Sequence, residues 1–454
     1  MSRILFSVLS NVHQIVSGKL DIFFQSIVDC LAENGNDVFL LKVNDIPGYP
    51  RHNPKAEKIL LKKIKRFRPE LIITPNHDIP LLFLENTDCP VVVYTADSPM
   101  YMQNQDYIRK NPERYFFMHS GWENIFPELL AKDFGIRAER NFYTGYMTAI
   151  RAKEMPIKRN IGFVGFVGWG VDYTYIFMNE VRDNETFRRK IREAEEKGIL
   201  SIEYTQLKTS NIRIKTLDAL VDLGLECFGI PNNFRFCGAY SWDLLKCFNF
   251  DPVVTLQTME DVLNSSLISP HLYNYQAPIG LSWRVADVMA SNACLISPPK
   301  PDLKRMSPYI DIPTFESPAE CRELCQKLLK DDVWRKDIVK GCQKAIDDLN
   351  QRPVHLLKII EENIHIPLVN NAKEGVAPVC KPVFTVDLTL FSLKYRLRYK
   401  LWKYLSEQKY ASPFACKLHK RLSKQLLKKG IIFEYTPLLS MKDRPPEENK
   451  DRTA

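Results

Sequence analysis

The sequence contains no uninterrupted apolar stretch approaching the ~18–20 residues that a membrane-crossing helix needs, which argues against an integral helical membrane protein. Its first residues, MSRILFSVLSNVHQIVSG, lack the long apolar core and small-residue cleavage site of a secretion signal, so a cytoplasmic location is expected. No Cys-x-x-Cys occurs among the 11 cysteines. Cys321 and Cys325 stand four apart, one helical turn, and no His–Cys cluster at zinc spacing accompanies them. Free thiols in a reducing compartment are therefore the expectation, with no structural metal. No internal repeat and no RNA- or DNA-binding module is evident, so nucleic acid is not an expected partner.

What is present fits a globular chain. Of 454 residues, 45% are hydrophobic and 26% charged, near the globular average, and the length suggests two or three domains. The net charge of +9 comes from 63 basic against 54 acidic residues and is unevenly placed. Residues 391–430 hold twelve Lys and Arg against the single acid Glu407. The basic character thus belongs to the tail, while the body is close to neutral.

Short apolar runs alternate with helical patterns along the body. Strands are expected at 3–9, 38–43, 70–74, 90–95 and 114–118, with helices at 20–33 and 55–67. The pattern restarts near 150–158. There, strands are expected at 160–164, 226–230, 253–254, 267–268 and 295–296, with helical pattern over 172–224 and helices at 259–265, 282–291, 317–329 and 332–349. Such alternation predicts an α/β chain of two Rossmann-like lobes, each a parallel sheet covered by helices, facing a cleft. The expected domains are 1–155, 156–365, and 366–454 as linker, basic amphipathic tail and polar end, with 366–382 read as a loop. Ligands in such sheets sit beyond the carboxyl ends of the strands.

The run Gly162-Phe-Val-Gly165-Phe-Val-Gly168-Trp-Gly170 follows a strand. Its spacing departs from the GxGxxG dinucleotide fingerprint, and it opens the second lobe rather than the first. A turn that brings backbone N–H groups at Gly165 and Gly168 toward a phosphate is one reading. A tightly packed turn without a ligand is another, and an NAD-dependent oxidoreductase a third.

The segment from Ser269 to Ser297 carries the most information. A strand end leads through Gly280 to a short helix at Ser282, then to another strand. Ser282 suits an N-cap, where its hydroxyl accepts from a free helical N–H. Exposed N–H groups there favour a diphosphate, and Arg284 offers a forked cation to its oxygens. Asp287, three residues on, can accept two ribose hydroxyls. An ordinary Arg–Asp pair at i, i+3 on a buried helix explains the same spacing.

GLSWRVADVMASNACLIS resembles the donor-site segment of GT-B glycosyltransferases of the glycosyl-transferases-group-1 type, most closely the spore-maturation-protein-like branch with its G-x-S-x-R-x-x-[ED] pattern. Ile161-Gly-Phe-Val-Gly165, Thr258 to Ser269, Phe315 to Ala345 and Ala96-Asp97-Ser98-Pro99 resemble neighbouring pieces of that family in the same order, over roughly 90–350. The chain departs from the family at Ile279, where an acid is usual, and at Asn292, where Gly is usual. The Arg/Lys pair of many relatives is not evident after Gly168.

The resemblance implies a metal-independent, hexosyltransferase-like enzyme without a cofactor, taking a nucleotide-diphosphate-sugar as donor and a glycan or lipid-linked acceptor, in bacterial surface polysaccharide assembly. It implies donor contacts from Gly165, Gly168, Ser282, Arg284 and Asp287. A non-catalytic scaffold of the same fold is the alternative. His13, His77, Asp97 and His119 all follow N-lobe strands, where cleft loops begin. Asp97 stands first for a catalytic role and His13 second, as a base near neutral pKa.

In the tail, residues 393–401 alternate apolar and basic residues, while Leu393, Leu397, Leu401 and Leu405 also lie at helical spacing, so strand and helix both fit; Phe414, Leu418, Leu422 and Leu426 form a clearer helical stripe among basic residues. A basic amphipathic helix of this kind can lie on an anionic membrane surface, here the inner face, through residues 391–430. A solvated helix packed against the N-lobe is the competing reading.

Overall fold

The computed structural model describes residues 1–10, 20–44, 54–95, 102–119, 125–145, 147–167, 202–229, 240–249, 253, 255–275, 281–372, 376–384, 393–406, 408 and 411–428. The first sheet comprises β1 (Arg3–Ser10), β2 (Asp37–Asn44), β3 (Leu71–Pro75), β4 (Val91–Thr95), β5 (Tyr115–His119) and β6 (Asn141–Tyr143). The second comprises β7 (Arg159–Val164), β8 (Leu225–Phe228), β9 (Phe248–Asn249), β10 (Ser266–Pro270) and β11 (Cys294–Ile296). Cys380–Phe384 forms β12, which returns to the first sheet.

All pairings among these strands are parallel. The order is β12-β2-β1-β3-β4-β5-β6 in one sheet and β11-β10-β7-β8-β9 in the other. In the second, the first strand of the lobe lies beside the fourth, so the chain reverses direction across the sheet between β7 and β10. Such switch points open a crevice at the strands' carboxyl ends. The expected two-lobed α/β architecture is therefore present.

The helices are α1 (Ile22–Glu33), α2 (Pro54–Phe67), α3 (Ile125–Phe134), α4 (Ile202–Asp218), α5 (Leu256–Asn264), α6 (Trp283–Met289), α7 (Pro318–Lys330), α8 (Asp332–Asp348), α9 (Pro353–Ile364), α10 (Leu393–Ser406) and α11 (Pro413–Lys428), with shorter turns between them. Side chains alternate across a strand, so β1 sends Ile4, Phe6 and Val8 to one face and Leu5 to the other. The first face packs on α1, and its core continues into the second lobe. The second packs on Leu60 and Ile64 of α2 and Leu130 and Phe134 of α3. Burial on both faces explains why the strands read as continuous apolar runs rather than alternating ones.

Two expectations need correction. The tract 366–382 is not a loop to its end, because Cys380 pairs with Val38 and Phe384 with Lys42 at the sheet edge. Pro382 fits there, since an edge strand has one row of N–H groups with no partner to lose. The strand expected at 253–254 is not seen at Val253. The edge strand lies earlier, at Phe248–Asn249, where the Cys227 N–H donates to the Cys247 carbonyl. Val254 lies outside the described residues.

The returning chain is anchored on the first lobe before it reaches β12. The Asn371 N–H donates to the Asn34 carbonyl at 2.8 Å, and the Asn36 side-chain amide donates to the Leu368 carbonyl at 2.8 Å. Between those contacts Gly35 adopts φ +84°, and a Cβ there would stand 2.3 Å from the Ala372 nitrogen. Both the left-handed backbone and the close approach call for glycine. Gly35→Ala should lower unfolding free energy by about 2 kcal/mol or more in a denaturant titration.

Candidate functional site

The second lobe's switch point is built by residues that immediately follow β7 and β10. Gly165 and Phe166 follow β7, and His271 and Tyr273 follow β10. Arg213, projecting from α4, bridges the two strand ends. Its Nη1 donates to the Phe166 carbonyl at 2.6 Å and its Nε to the Tyr273 carbonyl at 2.7 Å. Burial pulls its pKa down to about 10, which still leaves it charged at neutral pH.

Lys300 enters from the loop after β11, and Arg284 from the first turn of α6. All three cations act electrostatically on His271. Burial first, and then Lys300, Arg213 and Arg284, depress the histidine well below its ordinary value. His271 is therefore neutral, with Nδ1 2.9 Å from the Ser297 hydroxyl. Burial also lowers Lys300 to about 8, partly offset by Asp302 and reinforced by Arg213. Positive charge concentrated at a low-dielectric crevice attracts an anion more strongly than the same charge in water.

After β10 the rings of Tyr273 and Tyr275 stack 5.7 Å apart and nearly parallel. The Lys208 ammonium lies 4.5 Å from the Tyr275 ring centroid.

Arg284 and Asp287 stand as the sequence spacing predicts, one turn apart on α6, but they face each other. Arg284 Nη1 donates to Asp287 Oδ2 at 3.1 Å, and the Thr148 hydroxyl donates to Oδ1 at 2.7 Å. Their side chains retain only 18% and 13% exposure. Burial raises the Asp287 carboxyl against the pull of Arg284 and Thr148, and lowers Arg284 against the pull of Asp287. The ordinary i, i+3 ion pair is thus present. Trp283 beside it stacks on Phe23 at 5.1 Å and meets Phe24 edge-on at 5.7 Å, so α6 rests against α1 of the first lobe.

Ser282 occupies the N-cap position of α6, yet its hydroxyl makes no capping bond and no other hydrogen bond among the described residues. The expected N-cap bond is therefore absent. The first helical turn is closed by the Val285 N–H donating to the Ser282 carbonyl.

Gly165 follows β7 as expected, but its N–H donates to the Phe228 carbonyl at 3.0 Å. A Cβ at Gly165 would stand 3.0 Å from the Phe163 ring, so its missing side chain serves packing. Gly162 has a packing role, since a Cβ there would come 2.2 Å from the Ser266 hydroxyl oxygen on β10. Gly168, His13 and Asp97 lie outside the described residues.

The linker between the lobes is held by side chains of the second. The Arg151 N–H donates to Glu260 Oε1 at 3.0 Å, and Lys153 pairs with the other oxygen of that carboxylate. Asn292, at the family's glycine position, donates from its amide to the Lys153 carbonyl at 2.7 Å and accepts from Gln343 at 3.1 Å. A glycine there would make neither bond. Arg352 donates to the Ile150 carbonyl at 2.6 Å.

In the first lobe, His77 is fully buried, with Nδ1 2.6 Å from the Gln103 carbonyl and Nε2 3.0 Å from the Tyr115 hydroxyl. Burial lowers it to about 4, and both ring nitrogens are occupied, so it serves the fold rather than a cleft. His119 is also buried, with its ring edge-on to Tyr143.

Among the described residues, no group of three or more His, Cys, Asp or Glu gathers as a metal site, the cysteines are free, and no helix is long and apolar enough to cross a membrane. Sequence reasoning missed Arg213, His271 and Lys300. The two that directly follow strands, His271 after β10 and Lys300 shortly after β11, carry a positional signal. Arg213 sits in mid-helix and carries none.

A family model described as glycosyl transferase-like matches residues 213–352, a span that begins at Arg213 and includes His271, Arg284, Asp287 and Lys300. A search of curated proteins finds none that match. Among solved structures, the chain is similar to a glycosyltransferase of Rickettsia africae ESF-5, at 11% identity over 81% of this chain and 99% of that one, with a TM-score of 0.49. It is similar to T4 phage BGT in complex with UDP-glucose at 11% identity, over 80% and 100%, with a TM-score of 0.45. It is also similar to Anabaena Alr3699/HepE in complex with UDP and glucose, at 11%, over 80% and 100%, with a TM-score of 0.47.

Two outcomes follow from these groups. Because His77 takes up a proton far more readily unfolded than folded, its contribution to stability is complete above about pH 6.5 and is lost as pH falls toward about 4, by about 3 kcal/mol. His271 acts in the same direction. Denaturant midpoints measured across that range should fall, and less steeply for His77→Gln. Asp287→Ala strands a buried guanidinium and should cost about 3–5 kcal/mol, whereas Asp287→Asn keeps an acceptor for Thr148 and should cost less. Thermal denaturation of the two variants checks the difference.

Proposed function

We propose that this chain is a glycosyltransferase, moving a sugar from a nucleotide-diphosphate-sugar held by the second lobe to a glycan or lipid-linked acceptor on the side of the first. The observation that carries the reading is that Arg213 bonds the Phe166 and Tyr273 carbonyls after β7 and β10, while Lys300 and Arg284 act with it on His271, all within the span matched by the glycosyl transferase-like family model. A departing nucleoside diphosphate accumulates negative charge as the glycosidic bond breaks. Fixed cations in a crevice of low dielectric stabilise that charge without a metal ion.

In this reading Arg284 and Lys300 meet the diphosphate, and Arg213 holds the two strand ends apart at the width the ligand needs. Asp287, already accepting from Thr148 and Arg284, keeps lone pairs free for ribose hydroxyls. Gly165 and Gly168 are the proposed donor contacts after β7, and Ser282 supplies a hydroxyl at the start of α6. Asp97 and His13 remain the proposed cleft residues of the first lobe, with His13 the base that accepts the acceptor hydroxyl's proton if transfer inverts the anomeric carbon. The sequence likeness to the spore-maturation-protein-like branch supports a hexosyl donor and a setting in bacterial surface polysaccharide assembly.

A second reading, a non-catalytic scaffold of the same fold, draws on the closed Arg284–Asp287 pair and on Asn292, whose amide binds the linker where relatives have glycine.

A thermal-shift screen against UDP-, GDP-, CMP- and ADP-sugars tests the proposal, because a ligand that binds only the native state raises Tm. One donor class should stabilise the protein and then be turned over to free nucleotide with an acceptor or water. Binding without turnover would select a scaffold that binds nucleotide, and no binding by any donor would reject sugar transfer and leave a scaffold for a glycan or a partner protein. Lys300→Met, which removes charge but keeps length, should weaken donor binding about tenfold, or 1.4 kcal/mol, with Tm unchanged or raised. In the wild-type protein, affinity should fall as pH rises through about 8, where Lys300 loses its proton. Isothermal titration across that range reads both effects.

A further inference from the structure

The tail forms a helical hairpin rather than a single amphipathic helix, and this changes which face is available. The Trp402 indole N–H donates to the Ser423 hydroxyl at 2.8 Å, the Trp402 ring stacks on His419 at 5.7 Å, and the Ser406 hydroxyl lies 2.8 Å from His419 Nε2. Leu405, Leu422 and Leu426 are buried. The stripe of α11 that reads most clearly as amphipathic in the sequence is therefore largely spent on α10.

Apart from Phe414 at the start of α11, which is 76% exposed, what remains outward is on α10. Leu397, Leu401 and Tyr404, at i, i+4 and i+7, are 58%, 41% and 62% exposed, on the side of α10 opposite Trp402 and Ser406. Exposed Lys394 and Lys400 flank them. The described residues of the hairpin include ten Lys and Arg and no Asp or Glu.

We propose that this outward face of α10 docks on an anionic phospholipid surface, with Leu397, Leu401 and Tyr404 entering the headgroup–acyl boundary and Lys394 and Lys400 reaching lipid phosphates. The charge complements anionic lipid and repels a second copy of the same hairpin. A nucleic acid satisfies the cations but leaves the leucines in water, whereas a bilayer takes both. On α11 the exposed Lys417, Lys420, Arg421 and Lys424 lie on the helix face opposite the buried His419, Leu422 and Leu426. They add long-range attraction, and that attraction is screened within a Debye length. The surface stands independently of the sugar-transfer reading.

The test is co-sedimentation of the full chain with vesicles of phosphatidylcholine alone and of phosphatidylcholine with phosphatidylglycerol. Binding is expected to the anionic vesicles only. Leu397→Gln/Leu401→Gln should reduce it about tenfold or more, and Lys417→Gln/Lys424→Gln less than about threefold. Circular dichroism checks that the variants keep their helices. Should the leucine variant unfold, Tyr404→Trp quenched by brominated lipid reads insertion directly. Failure to bind anionic vesicles, unchanged binding by a folded leucine variant, no quenching, or displacement of vesicles by single-stranded RNA would each overturn the proposal.

Discussion

The two lobes are tied together through one carboxylate. Asp287 accepts from Arg284 on its own helix and from Thr148 on the linker, and both donors are largely withdrawn from water. A buried ion pair adds little stability by itself, but removing one member leaves an uncompensated charge, so it constrains geometry strongly. Here the constrained elements are α6, which starts beside the switch point, and the segment joining the lobes. Trp283, stacked on Phe23, extends the same constraint into the first lobe.

That constraint gives Asn292 a physical meaning. The pattern that the sequence resembles has glycine at this position. In this fold the Asn292 amide spans from the Lys153 carbonyl to Gln343 and so ties the linker to α8. Glu260, Arg352 and Asn292 together give the linker's backbone groups partners that water would otherwise supply. The lobes' relative placement therefore rests on side-chain-to-backbone bonds from one lobe rather than on apolar contact alone.

The ends of β7 and β10 gather polar residues that are far apart in the chain. Arg213, His271 and Lys300 come from α4 and from the segments after β10 and β11. Parallel topology brings those strand ends to one edge, and Arg213 bonds the carbonyls of Phe166 and Tyr273 across the gap. The local motif at Arg284 was visible because its parts lie within one helical turn. Arg213 was not, because nothing in its own helix distinguishes a cation that reaches a distant carbonyl from one that faces solvent.

Composition and periodicity alone determined the α/β class, the restart near residue 150, most strand positions and the basic tail, because each depends on burial of side chains a few residues apart. Tertiary structure decided the rest. It showed β12 returning to the first sheet and Gly165 spending its N–H on Phe228. It placed His77 in a core and turned Leu397 and Leu401 of α10 outward while Leu422 and Leu426 of α11 were buried. Each of these outcomes depends on which distant backbone or side-chain group lies within about 3 Å, a quantity set by chain topology and not by local pattern.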